Sequence, residues 1–169
     1  PFIFDEQIKI SSIAEAEAKA VLGDLLLRTG RIDAAAAQLE EALKLDENSA
    51  FANIALGVVR MRQKNFADAK KHLEKAIKSD EKNYLAHYQL AYVLSREEMS
   101  EFGFVSGYDF QKAEKMREAL RKAIALNPNF AQSYNLYAFV NIVRNEDIEQ
   151  AAEYMKKAAA LAPGNQWYQ

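Results

Sequence analysis

The chain of 169 residues has no cysteine, so disulfide staples and thiolate metal sites are excluded. It has two histidines, His72 and His87, and no carboxylate cluster falls at metal-ligand spacing from either. No run approaches the ~18 apolar residues of a membrane helix. No charged-apolar-small leader opens the chain. A glycine-rich phosphate loop closed by Lys-Ser/Thr is also missing. Gly103-Phe104-Val105-Ser106-Gly107 lacks the G-x-S-x-G spacing of a nucleophile elbow and has no strand before it. Adjacent acids such as Glu40-Glu41 and Glu97-Glu98 point about 100° apart on a helix and read as solvated surface. These absences predict a chain that is not an enzyme and holds no cofactor and no metal.

Charge of one sign is scarce too. The net charge is -2, so no global field recruits nucleic acid or an anionic membrane. Locally, residues 1–49 carry ten acids against five bases and residues 60–82 eight bases against four acids. The lysines at 70, 71, 75 and 78 are not interleaved with stacking aromatics as a nucleic-acid groove requires. They read as a solvated outer face.

What is present is a repeat. Half of the residues are hydrophobic and 27% are charged, ample for a core. Ala35-Leu39-Ala42 recurs as Ala69-Leu73-Ala76, then as Met116-Leu120-Ala123 and Ala151-Met155-Ala158. The closing alanines lie 34, 47 and 35 residues apart. Upstream of each triplet is a second apolar helix bearing Leu22-Gly23, Leu56-Gly57, Leu90-Ala91 or Tyr137-Ala138. The periodicity predicts helices over 14–29, 32–45, 50–63, 66–79, 84–97 and about 110–126. Thr29-Gly30-Arg31 and Lys64-Asn65 break the pairs. Segment 1–13 mixes helix spacing (Phe4, Ile8, Ile13) with strand-like alternation at 7–10 and reads as a lead-in covering the first helix.

The third unit is longer than its neighbours by 13 residues, placed near 98–110. Gly103 and Gly107 argue for a loop there, while Phe102, Phe104, Tyr108 and Phe110 argue against a solvated one, since four exposed aromatics would form a patch. We expect this insertion to fold back over the third unit or to serve as a docking point. The opening Pro1, and Gln166-Trp167-Tyr168 after Pro163-Gly164-Asn165, read as the ends of a segment excised from a larger bacterial protein. Compartment is unknown from the sequence: cytoplasmic by default, periplasmic or secreted if a signal was trimmed.

The repeated Leu-Gly/Ala and Ala-Leu-Ala pattern, closed by Pro128 and Pro163, resembles the tetratricopeptide repeat family; Glu47 and Glu81 replace the closing proline in the first two units. The resemblance implies an all-α, right-handed superhelical solenoid of helix-turn-helix units at about 16–49, 50–83, 84–130 and 131–165, one domain over 14–169. It further implies a scaffold or adaptor that binds a protein or peptide and does no chemistry, with weak self-association through open repeat ends. An alternative is an accessory module of a larger enzyme, a protease or transferase, whose catalytic domain lies elsewhere.

The family's groove positions fall on Phe51, Ile54, Val58, Tyr88, Tyr92, Asn135 and Phe139, with Glu17, Ala20 and Asp24 in the first unit. One subfamily clamps chaperone C-terminal carboxylates with Lys, Asn and Arg. Here those places hold Ala20, Asp24, Val58, Leu85 and Gln89, so that ligand is not expected. The groove reads as apolar and aromatic, suited to an apolar or helical partner segment.

Overall fold

The computed structural model describes residues 2–97, 99 and 107–165, with side chains from Ile10 onward. Among the described residues the elements are eight helices: α1 (Phe2–Arg28), α2 (Ile32–Leu45), α3 (Ala50–Arg62), α4 (Phe66–Ser79), α5 (Tyr84–Glu97), α6 (Phe110–Leu126), α7 (Ala131–Arg144) and α8 (Ile148–Leu161). They pack as the antiparallel pairs α1–α2, α3–α4, α5–α6 and α7–α8. No helix among the described residues is long and apolar enough to cross a membrane. The chain divides into two compact units, 1–81 and 82–169.

α1 differs from expectation. The segment 1–13, read as a separate lead-in, is helical from Phe2 and continuous with the first helix. No Gly or Pro occurs between Phe2 and Leu22 to stop it. The four-residue alternation at 7–10 is too short to oppose a helix already propagating.

In the first unit, close approach within each pair is set by glycine. An added Cβ at Gly23 would stand 2.5 Å from Leu39 Cγ, and one at Gly57 2.8 Å from Leu73 Cγ. Both leucines are fully buried, so these contacts have no slack. Ala35, Leu39 and Ala42 of α2 join Ala52, Ala55, Leu56 and Val59 of α3 in one cluster, which fuses the two pairs.

The turns repeat as well. Gly30 N donates to Leu27 O and Arg31 N to Leu26 O; Lys64 N donates to Met61 O and Asn65 N to Arg60 O. Each turn needs one left-handed residue, Gly30 (φ 79°) and Lys64 (φ 60°). Arg62 adds a second donor to Leu27 O, at 3.1 Å.

Asn53 is buried and fastens the α2–α3 connection: its amide donates to Glu47 O (3.0 Å) and Ser49 O (2.9 Å). Its oxygen is therefore the acceptor toward His72 Nδ1 at 3.0 Å, which places the imidazole proton on Nδ1. Burial, then the neighbouring Arg60 charge, pushes the His72 pKa down.

The second unit builds its core from Ala91, Leu94, Tyr108, Ala113, Met116, Ala119 and Leu120, together with Leu136, Tyr137 and Val140 of α7. Ala131, Tyr134 and Ala158 form a smaller cluster where α7 meets α8. The α7–α8 turn places Asn145 (φ 54°) in the left-handed position, with Glu146 N donating to Asn141 O, and adds a second left-handed residue, Asp147 (φ 44°).

Candidate functional site

The aromatic residues of the second unit are arranged in a chain of ring contacts. α5 carries Tyr84, Tyr88 and Tyr92 at four-residue spacing, which puts them on one face. Tyr88 and Tyr92 stack with centroids 6.0 Å apart. Phe130, the residue that opens α7, packs edge-on against both Tyr84 (5.1 Å) and Tyr88 (5.0 Å). Tyr88 and Tyr92 are half-buried against the core holding Leu136 and Tyr137. They are held by their neighbours and remain only partly buried, as a preorganised contact residue should.

Along α7, Asn135 is half-buried, its amide 3.5 Å from Met155 Sδ, and Phe139 is exposed. Tyr134 and Tyr137 turn inward onto Tyr154 at 5.2 and 5.1 Å. Lys157 lies 4.7 Å from the Tyr134 ring centroid, a cation–π contact.

Of the expected contact residues in the first unit, Phe51 is exposed and Val58 is half-buried against the cluster of α1, α2 and α3. Ile54 is buried, so it backs the surface and offers little area. Ala20 is buried, while Asp24 is tied to Arg28 at 2.7 Å. Leu85 and Gln89 are half-buried on α5. The positions of a carboxylate clamp thus carry no cation.

The insertion divides. Phe102 and Phe104 lie outside the described residues. Tyr108 is 3% exposed and Phe110, the first residue of α6, is 61% exposed. Tyr108 thus folds inward, while Phe110 stays exposed at the start of α6, where Asp109 caps the helix by accepting from Lys112 N at 2.8 Å. Tyr108 is locked from two directions. Its hydroxyl donates to Ser95 O at 3.4 Å, and its carbonyl accepts from Arg144 Nη1 at 2.9 Å.

Arg144 belongs to a network that the sequence did not reveal. Arg117, buried on α6, donates to Asn141 Oδ1 (2.9 Å), Glu114 Oε1 (2.6 Å) and Glu146 Oε2 (2.7 Å). Glu146 also accepts from Arg144 Nη2 at 2.6 Å. Hydrogen bonds from Arg144 and then Arg117 hold the Glu146 carboxyl below its ordinary pKa. The readable signal was a polar residue on an apolar stripe, at Arg117 and again at Asn141. Both histidines are engaged, His72 with Asn53 and His87 in the core of the second unit. Among the described residues no group of three His, Asp or Glu is placed to hold a metal.

The tetratricopeptide repeat family matches residues 16–49 and 50–83. No curated protein matches the chain. Among solved structures, one on the functional characterisation of Pseudomonas aeruginosa pilF is similar at TM-score 0.79 and 22% identity, over 94% of this chain and 66% of that one. This chain thus spans just under two thirds of it. A thermophilic TPR protein of Thermus thermophilus, TTC0263, is similar at TM-score 0.73 and 21% identity, over 88% of this chain and 75% of that one. The first TPR of Spaghetti (RPAP3), bound to the HSP90 peptide SRMEEVD, is similar at TM-score 0.66 and 15% identity, over 79% of this chain and 95% of that one. Similarity at these identities establishes the shared all-α helix-turn-helix repeat fold.

Proposed function

Because the chain is a tetratricopeptide repeat protein, and so a protein-interaction module, we propose that it captures an apolar or amphipathic segment of a partner protein and performs no chemistry of its own. The observation that carries this reading is the α5–α7 aromatic surface: Tyr88 and Tyr92 stacked and braced by Phe130, with Phe139 exposed on α7. Rigid, partly exposed aromatics give large contact area for little lost side-chain freedom. A C-terminal carboxylate like that of an acidic chaperone tail is not the ligand, since the family's cationic clamp places hold Ala20, Asp24, Val58, Leu85 and Gln89. Asp24 there would repel it.

The test is calorimetric titration with a peptide selected on the wild-type protein from a random display library. Tyr92→Ala and Phe139→Ala should each weaken binding by about 1–2 kcal/mol, as loss of an interface aromatic does. Lys71→Ala on α4 and Lys122→Ala on α6, both exposed, should leave it unchanged. The opposite pattern would remove the site from α5 and α7.

A further inference from the structure

α1 carries an apolar face that the first unit leaves uncovered: Ile10, Ile13, Val21, Leu22 and Leu25 are all exposed. The internal repeat identifies the surface such a face is made for. Thirty-four residues on, Val21, Leu22 and Leu25 correspond to Ala55, Leu56 and Val59 of α3. Those three are buried in the cluster that α3 shares with α1 and α2. Leu22 is 45% exposed where Leu56 is 1%. The α1 face is thus the side of a repeat that packs on the pair before it.

The complementary side is exposed on the last pair. Aligning Ala35-Leu39-Ala42 with Ala151-Met155-Ala158 places Ile32 and Ala36 on Ile148 and Ala152. Aligning Gly23 with Ala138 places Leu27 on Ile142. In the first unit Leu27 and Ala36 are buried, and Ile32 is half-buried, in the cluster with α3. Ile142, Ile148 and Ala152 are all exposed; Ile142 is 51% exposed where Leu27 is 5%.

We propose that the α1 face of one copy docks on the α7–α8 face of a second copy, reproducing between chains the packing that joins α2 to α3 within one. The same chain displays both halves of this interface, and the first unit shows how the halves fit. Glu17 agrees with this: it corresponds to Phe51, which stays exposed beside the buried α3 face, so the acid sits at the rim. Such a contact is heterologous, each copy using a different surface. It uses residues distinct from the Tyr88, Tyr92 and Phe139 surface and goes beyond the partner-segment reading.

Sedimentation velocity on the wild type and two double variants tests it. Leu22→Lys with Leu25→Lys disables the α1 face, and Ile142→Lys with Ile148→Lys disables the other. All four positions are substantially exposed, so helicity by circular dichroism should be retained. Wild-type mass should rise from micromolar toward millimolar concentration. Each variant alone should associate about tenfold more weakly or worse. An equimolar mixture of the two should regain a one-to-one dimer, because one copy keeps its α1 face and the other its α7–α8 face. Wild type that stays monomeric throughout, an α1 variant that associates undiminished, or a mixture no heavier than its components would each overturn the proposal.

Discussion

Replacing Gly23 with alanine adds one methyl group where the structure has no room for it. The new Cβ would lie 2.5 Å from Leu39 Cγ and 2.8 Å from Leu39 Cδ2. Leu39 is fully buried among the residues of α1–α3 and has nowhere to retreat. Overpacking of this kind costs about 1–3 kcal/mol. Alanine regains about 0.5–1 kcal/mol of helix propensity over glycine. The net expectation is a loss of about 0.5–2 kcal/mol, seen as a fall of about 0.3–1 M in the urea midpoint followed by circular dichroism. The sign should reverse once the obstacle is removed. Leu39→Ala alone costs about 2–5 kcal/mol; in that background Gly23→Ala should stabilise, so the two substitutions couple favourably by about 1–3 kcal/mol. Gly23→Ala that stabilises the wild type, or costs the same in both backgrounds, would refute glycine-governed helix approach.

Three further outcomes follow from particular contacts. Lys64→Gly should raise stability by up to about 1 kcal/mol in thermal unfolding, because Lys64 occupies the left-handed region at the place where Gly30 does so without strain. Asn141→Ala should cost about 1–3 kcal/mol and speed amide exchange at the α7–α8 turn, since Arg117 and Gln150 both lose a hydrogen bond to that side chain. Acidification should destabilise the first unit through His72. Its folded pKa lies below the unfolded value, so the stability it contributes is present above the unfolded pKa of about 6.5 and is lost as pH falls toward the folded one. His72→Gln should flatten the loss of melting temperature between neutral and mildly acid pH, and an unchanged slope would remove His72 as its cause.

Most of the fold was readable because each unit repeats one contact in residues of extreme size. Gly23 and Gly57 against Leu39 and Leu73, and the buried Ala42, Ala76, Ala123 and Ala158, leave little choice of packing. The bounds of α2, α4 and α6 follow from the same stripe. α1 was misjudged over its first thirteen residues because a four-residue alternation carries little weight against an uninterrupted helix. The opposite placements of Tyr108 and Phe110 were not readable because composition reports how apolar a segment is and says nothing of direction: Phe110 is exposed beside the cap at Asp109 while Tyr108, two residues earlier, is buried. The Arg117 network escaped for a related reason. Arg117 reaches Glu146 across 29 residues, and each member is individually an ordinary surface type. Of the expected contact residues, Ile54 proved buried, as is Ala20, its counterpart one repeat earlier.

The most direct measurement of partner capture is an amide chemical-shift map of the labelled protein titrated with the selected peptide. The account expects the largest changes on α5 around Tyr88 and Tyr92 and on α7 around Asn135 and Phe139, with α4 and α6 nearly silent. Changes concentrated on α4 or α6, with α5 and α7 unmoved, would contradict it.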